Sequence, residues 1–255
     1  MTLSKWQALG NDYLLVEQAE LGEPLTRDRV RQLCDYHYGV GSDGLLEILT
    51  VHGPRAEVRI WNPDGSTAEL SGNGVRIVAA WLARESGEEL VTVSVGDRTV
   101  EAAIHDDGNI TLDVGPVEVG ETETLDLGAE RVEFTPVSVG NPHAVLRREP
   151  ERGELRRIGS QIERHSRFPE RANVQLVRVD GQHDLTVGVW ERGAGETLSS
   201  GTSSVAAAAA AVANGWCESP VQVHLPGGTL LVELQVDGTA RLTGPAEEIC
   251  RVELV

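Results

Sequence analysis

Two serine–glycine turns are the features of this sequence best suited to chemistry. At Ser71-Gly72 and at Ser200-Gly201, a strand ending in tryptophan leads through Gly and Ser residues into an alanine-rich helix. A helix that begins at such a turn leaves its first N–H groups unpaired, and these groups together with the helix dipole bind anions such as carboxylates. Glycine lets the backbone come close to a ligand. Each turn is therefore a candidate site for a small carboxylic acid.

The two turns are related by an internal repeat. Aligning Trp61 with Trp190 places Ser71 opposite Ser200 at an offset of 129 residues, without gaps. A second correspondence, at an offset of 130, joins Gly10-Asn11 to Gly140-Asn141. The repeat predicts two similar halves. If the halves fold face to face, the two serine hydroxyls approach one ligand from opposite sides, which is the geometry needed to remove a proton from one face of a carbon and return one to the other.

Other polar residues fit a site of this kind. Four asparagines at strand ends or in turns are able to fix amino and carboxyl groups: Asn11, Asn62, Asn141 and Asn173. Asparagine also forms turns without any ligand. His143 and Glu191 are titratable groups near the same turns, and they are candidates for acid/base groups or for residues that orient such groups. A structural role is favoured for the other six histidines.

The elements that must position these residues are mostly strands. Alternating apolar and polar residues predict strands, which cover residues 56–60, 91–95, 109–114, 132–134, 173–179, 185–190, 221–225, 230–234 and 240–242. Helices are predicted over about 28–37, from just after Gly74 to about 85, over 151–165 and over 201–214. Many strands and few helices, not in strict alternation, indicate an α+β fold.

Composition excludes several classes of partner and cofactor. The net charge of −18, from 22 basic and 40 acidic residues, argues against nucleic acid and anionic membranes. The longest apolar run has nine residues, too few for a transmembrane helix, and no secretory signal is visible, so a cytoplasmic protein is expected. Three scattered cysteines argue against a disulfide framework. No residue spacing resembles a metal site, a phosphate loop or a dinucleotide fingerprint.

Seven segments resemble the diaminopimelate epimerase family. In order and spacing they cover nearly the whole chain: Ala8–Tyr13, Gly39–Gly44, Arg59–Ser66, Ser71–Gly74, Gly140–His143, Phe168–Val174 and Glu191–Thr197. The resemblance implies two pseudo-symmetric α/β halves with the active site between them. Because the C-terminal strand would return to the first half, the expected halves are 1–116 with 246–255, and 117–245.

The resemblance also implies an activity and a set of site residues. The family members are amino-acid isomerases of lysine biosynthesis that need no cofactor and convert LL- to meso-diaminopimelate by moving the α-proton; dimers are usual among them. Their substrate contacts correspond to Asn11, Asn62, Asn141, Asn173, Glu191 and Arg192. The backbone of Gly72-Asn73 and of Gly201-Thr202 would hold the α-carboxylate. His143 and Glu191 match residues that flank the catalytic pair.

The chain departs from the family at that pair, because Ser71 and Ser200 stand where the family has two cysteines. A thiol has a pKa of about 8.5, whereas an alcohol lies near water, at roughly 15.7. The gap of about 7 units is on the order of 10 kcal/mol against forming the base. Three interpretations follow. The first is an epimerase in which His143 and Glu191 activate the serines or act as bases themselves. The second is a one-base isomerase or dehydratase of the same fold, and the third is an amino-acid-binding homologue with impaired catalysis, natural or engineered.

Overall fold

Short strands with one buried face make up most of this protein. In the segment Arg55–Trp61, for example, Ala56, Val58 and Ile60 are buried while the residues between them are exposed. The computed structural model describes residues 1–254. The chain divides into two compact units: unit 1 comprises Met1–Leu112 and the residues from Gly244 onward, and unit 2 comprises Asp113–Thr243.

Strands and helices follow one another in a similar order in both units. The strands before the boundary are β1 (Thr2–Ala8), β2 (Asn11–Glu17), β3 (Leu45–His52), β4 (Arg55–Trp61), β5 (Thr67–Ala68), β6 (Leu90–Val95), β7 (Arg98–Ile104) and β8 (Asn109–Pro116), which crosses it. Those that follow are β9 (Glu118–Val119), β10 (Glu123–Asp126), β11 (Arg131–Ser138), β12 (Pro142–Arg147), β13 (Asn173–Gly181), β14 (Asp184–Glu191), β15 (Gly195–Thr197), β16 (Val221–Leu225), β17 (Gly228–Leu234), β18 (Thr239–Pro245) and β19 (Glu247–Glu253). The helices are α1 (Arg27–Cys34), α2 (Gly72–Ser86), α3 (Arg152–Glu163) and α4 (Gly201–Ala213), with a 3-10 turn at Gln18–Glu20.

Strand pairing repeats between the units in both order and direction. In unit 1, β1 and β2 are antiparallel, β2 and β3 parallel, β3 and β4 antiparallel, and β4 and β6 parallel. In unit 2, the corresponding pairs β11–β12, β12–β13, β13–β14 and β14–β16 have the same four directions. Helices α2 and α4 follow the equivalent strands β5 and β15. The α+β fold and the internal repeat are therefore confirmed.

The first strand of the repeat has further antiparallel partners in each unit. Strand β19 lies antiparallel to β1, which it joins on the side opposite β2. In unit 2, the short strands β9 and β10 lie antiparallel to β11. The sheet of unit 1 therefore takes one strand from beyond unit 2 in the chain.

The two helices that follow the serine–glycine turns are apolar and deeply buried. In α4, every residue from Ser203 to Ala211 is buried. Alanine side chains are small enough to let the helix lie close to the sheet. In α2, the buried set includes Val75, Ile77 and Val78, together with the charged Arg76. Both helices thus fix the turns at their N-termini to the core of their own unit.

Helix α1 is shorter than its sequence predicts. It ends at Cys34, three residues before the predicted end, because Asp35 is extended and its carboxylate accepts the backbone N–H groups of His37 and Tyr38. A side chain that bonds nearby backbone groups in this way competes with helix formation. Within residues 1–254, the helices are all too short or too polar to cross a membrane.

Candidate functional site

Ser71 caps helix α2 and uses its hydroxyl twice. Its Oγ accepts the backbone N–H of Gly74 at 3.1 Å, and it hydrogen-bonds the phenol oxygen of Tyr13, also at 3.1 Å. Serine is a strong helix-capping residue because its oxygen satisfies one of the N–H groups that the helix leaves unpaired. The side chain that aligns with a family cysteine is therefore part of the local structure of the helix start.

A chain of polar contacts continues from this helix start. The Asn73 amide nitrogen donates to Asn11 Oδ1 at 3.0 Å, and Asn11 in turn donates to Asp43 at 2.9 Å. On the other side, Arg76 donates from Nη2 to Asn73 Oδ1 at 2.6 Å. The structure thus brings Asn11 and Asn73 together and holds both between a carboxylate and a guanidinium group.

Arg76 is a buried charged residue of unit 1. It is fully buried, and its only other bond in the described chain runs from Nε to the carbonyl of Pro245 at 3.4 Å; Nη1 has no partner there. Burial lowers the pKa of Arg76 to about 10, so the group stays charged at neutral pH. A buried cation without a carboxylate partner is costly. An anion at the start of α2 would offset that cost.

Asn62 lies in a turn of its own. Its side chain donates to Ser66 Oγ at 2.9 Å, and its backbone bonds Ser66 and Gly65. These are the contacts of a turn-forming asparagine. The structure therefore places Asn62 apart from the hydrogen-bonded group formed by Asn11 and Asn73.

Ser200 occupies the N-cap position of helix α4, but its hydroxyl does not bond the start of the helix. Its Oγ donates to Glu191 Oε2 at 3.3 Å, and it makes no capping bond to the backbone of the described chain. Ser200 is 5% exposed, whereas Glu191 ends β14 in a half-buried position. A carboxylate that accepts a hydroxyl proton increases the basicity of the hydroxyl oxygen. Gly201 and Thr202, the first two residues of α4, follow directly.

His143 is buried against amides rather than against either serine. Its Nε2 bonds Asn141 Oδ1 at 2.8 Å, and its Nδ1 accepts from Gln175 at 3.1 Å. Burial lowers the pKa of His143 to about 3, and the positive charge of Arg192 adds to this effect. The ring is therefore neutral at pH 7 and carries its proton on Nε2. Of the two roles predicted for His143, these contacts favour the orienting one.

Asn173 and Arg192 form a third pair in unit 2. Asn173 Oδ1 accepts the backbone N–H of Arg192 at 2.9 Å, while its amide nitrogen donates to the carbonyl of Pro142. The guanidinium of Arg192 is anchored to the carbonyl of Glu170 at 3.2 Å. The predicted residues of unit 2 therefore fall into pairs: Asn141 with His143, Asn173 with Arg192, and Ser200 with Glu191.

Side chains without a predicted role also hydrogen-bond the predicted site residues; among them are Tyr13, Asp43, Ser66, Arg76 and Gln175. Two of them carried a usable signal: Arg76 is a charged residue inside an apolar helix, and Gln175 lies two positions after Asn173, on the same face of a strand. In residues 1–254, no His, Cys, Asp and Glu side chains cluster in a way that could hold a metal ion.

The low pKa of His143 predicts an acid-labile contribution to stability. Unfolded histidine binds a proton near pH 6.5, whereas His143 in the folded chain does so only at about 3. The unfolded state therefore binds more protons between these values, and stability falls as the pH drops from 6.5 towards 3. We expect imidazole NMR to show His143 neutral, with its proton on Nε2, at pH 5.

The variant His143→Gln serves as the control for this prediction. It identifies the His143 resonance by its absence, and it should lose less stability between pH 7 and pH 5 than the parent chain. A His143 signal that titrates near pH 6.5 would contradict the proposed burial effect.

The chain is similar to known proteins over most of its length. The family model described as diaminopimelate epimerase matches residues 3–120 and 135–249. The diaminopimelate epimerase of Stutzerimonas stutzeri (strain A1501) is 36% identical over 267 residues, which cover 98% of this chain and 97% of that protein. The diaminopimelate epimerase of Desulfitobacterium hafniense (strain DSM 10664 / DCB-2) is 39% identical over 271 residues, covering 96% and 95%.

A solved structure has the same fold. The structure of a predicted epimerase from Pseudomonas aeruginosa matches with a TM-score of 0.74 and covers 100% of this chain and 99% of that one. Its sequence identity is 18%, so this similarity concerns the fold alone.

Proposed function

Because this chain belongs to the diaminopimelate epimerase family, we propose that it is a cytoplasmic amino-acid isomerase that moves the α-proton of diaminopimelate without a cofactor. The observation that carries the proposal is the hydrogen bond from Ser200 to Glu191 at the start of α4. It supplies a carboxylate to the serine that stands where the family has a cysteine. A lone alcohol is a very weak base, whereas an alcohol with an adjacent general base is a common acid/base device.

We assign substrate binding to the starts of the two helices. The backbone at Gly72-Asn73 and at Gly201-Thr202 would bind the α-carboxylate, as helix N-termini bind anions. The buried charge of Arg76 supports this assignment, because an anion at the start of α2 would offset it. Asn11, Asn141, Asn173 and Arg192 are the remaining candidates for contacts to the substrate.

In the proposed reaction, Ser200 removes the α-proton and Glu191 accepts the proton of the serine hydroxyl. The Cα–H bond breaks and its proton passes to Ser200 Oγ, while the hydroxyl proton of Ser200 passes to Glu191 Oε2. The electron pair stays on the substrate and is shared with its carboxylate, which the helix N–H groups stabilise. Ser71 returns its hydroxyl proton to the opposite face of the same carbon. Glu191 then releases its proton to water, and Ser71 regains one.

One observation favours a second candidate, a one-base isomerase of the same fold. Only one of the two serine hydroxyls, that of Ser200, bonds a carboxylate within residues 1–254, whereas Ser71 bonds a backbone N–H and a phenol. An enzyme with a single effective base would remove and return the proton on one face. It would exchange the α-proton with solvent without changing the configuration of the substrate.

Exchange of the α-proton in D2O separates these functions. We expect LL- or meso-diaminopimelate to gain deuterium at the α-carbon with inversion, as followed by mass spectrometry and chiral chromatography. Exchange with retention would instead support the one-base enzyme. Binding without exchange would overturn both and leave an amino-acid-binding protein.

The double variant Ser71→Ala with Ser200→Ala is the matched control, because it keeps the fold and removes both hydroxyls. Loss of the Ser71 cap costs about 1 kcal/mol of stability, so its thermal unfolding must be checked first. Exchange that persists in this folded variant would contradict the assignment of the serines.

A further inference from the structure

Tyr13 lies in contact with the serine that caps α2. Its phenol oxygen is 3.1 Å from Ser71 Oγ, and the residue is 8% exposed on strand β2. The Ser71 oxygen has two lone pairs and one proton. Gly74 N–H occupies one lone pair. If Tyr13 donates its phenol proton to the second lone pair, the hydroxyl proton of Ser71 remains available to bond a ligand.

Tyr13 corresponds to His143 in the internal repeat. In unit 1, β2 pairs Leu14 with Leu45, and in unit 2, β12 pairs Ala144 with Val174. The residues just before these pairs correspond between the units: Tyr13 next to Gly44, and His143 next to Asn173. A titratable ring therefore stands at the same strand position in both units. In unit 1 this ring reaches the serine at the helix start.

Gly44 provides the space that the tyrosine ring fills. A Cβ at position 44 would lie 2.6 Å from Tyr13 Cε1 and 2.7 Å from the carbonyl oxygen of Trp61. Both distances are too short for any side chain, and the second contact is to backbone that does not give way easily. The residue pair Tyr13 and Gly44 is therefore one packing unit, which fixes the phenol against Ser71.

We propose that Tyr13 is the positioning residue of Ser71 and the source of the proton that Ser71 delivers. This inference rests on the proposed function. As the hydroxyl proton of Ser71 passes to the substrate carbanion and forms the new Cα–H bond, the phenol proton of Tyr13 passes to Ser71 Oγ. Tyr13 is left as phenolate and regains a proton from water. An ordinary phenol, with a pKa of about 10, loses its proton far more readily than an alcohol near 15.7.

The first test needs no turnover, because it measures protonation at position 71 directly. Ser71→Cys introduces a thiol beside Tyr13, and Cys250→Ser removes the exposed cysteine. Cys34 and Cys217 react slowly because burial raises the pKa of both thiols. Iodoacetamide alkylation at pH 7.5 is followed by peptide mass spectrometry. A phenol that donates to a thiolate stabilises it.

Adding Tyr13→Phe to this double variant should slow alkylation at position 71 by about three- to tenfold, the result of a thiol pKa raised by about half to one unit. Gly44→Ala, which displaces the ring and keeps the phenol, should slow it in the same direction. Tyr36→Phe is the matched control: that phenol bonds Asp12 and Asp43, and its loss should leave the alkylation rate unchanged. Equal rates with and without the Tyr13 hydroxyl would overturn the proposal.

The second test uses the native serine. Tyr13→Phe should lower kcat for α-proton exchange by about tenfold or more and leave KM within about twofold, because the phenol acts through Ser71 and does not hold substrate. A rise in KM with unchanged kcat would overturn the proposed role. If the parent chain shows no exchange, the proposed function fails by itself, and the alkylation rates still decide whether Tyr13 controls protonation at position 71.

Discussion

Ser71→Cys combined with Ser200→Cys should raise the rate of epimerisation by about a thousandfold or more. The pKa gap between an alcohol and a thiol is about 7 units, on the order of 10 kcal/mol. Only part of such a pKa difference appears in the activation barrier, because the proton is only partly transferred in the transition state. Glu191 beside Ser200 also recovers some of it in the native chain. Interconversion of LL- and meso-diaminopimelate, measured by chiral chromatography, gives the rate.

The two single variants make this prediction specific. Epimerisation needs a base on one face and an acid on the other. Each single cysteine variant should therefore gain much less in rate than the square root of the gain of the double variant, which is the value expected if the two positions acted independently. The double variant must unfold at a temperature close to that of the parent and bind substrate equally well. A folded double variant that binds substrate and gains no activity would show that the two hydroxyls do not face the α-carbon.

Glu191→Gln should reduce α-proton exchange by about a hundredfold or more. Glutamine keeps the size of the side chain but cannot accept the proton that Ser200 passes on, and general-base groups contribute about 10² to 10⁴ to rate. The rate of deuterium uptake in D2O is the measurement. Glu196→Gln is the matched control, because that carboxylate pairs with Arg152 and Arg156 at the surface.

The same substitution should cost less in the double cysteine background. A thiol ionises on its own, so the carboxylate has less to contribute there, and the two changes should be non-additive. An equal loss in both backgrounds would mean that Glu191 acts by holding substrate instead of by accepting the serine proton. No loss in either background would remove it from the proposed mechanism.

The local signals in the sequence were sufficient for the helix starts and for the repeat. Serine followed by glycine at the end of a strand favours a helix start: α4 begins at the predicted Gly201, and α2 begins at Gly72, slightly before its predicted start after Gly74. Periodicity did not predict β1, β2, β3, β7 and β12 or the short strands β5, β9, β10 and β15, and β19 was expected only from the family resemblance. Their pairing decides their conformation, as β1 shows: it lies between β2 and β19, which is more than two hundred residues away along the chain. Short-range periodicity does not contain that information.

The predicted site residues show the same limit. Asn11 and Asn62 are the same residue type at strand ends, yet one joins Asn73 and Asp43, while the other forms a turn with Ser66. Only the folded chain decides which partner an amide meets. Tyr13 was part of a matching segment, but its hydroxyl bonds a residue 58 positions away. The family comparison identifies positions, and the contacts in this chain identify what each position does.

The position of β19 has a consequence for how the protein is made. On the ribosome, every strand of unit 2 up to β18 is synthesised before β19, so the sheet of unit 2 is able to form while β1 still lacks one of its two neighbours. Until β19 emerges, β1 presents an unpaired edge that another nascent chain could occupy. Translation therefore leaves the earlier-made unit to be finished last.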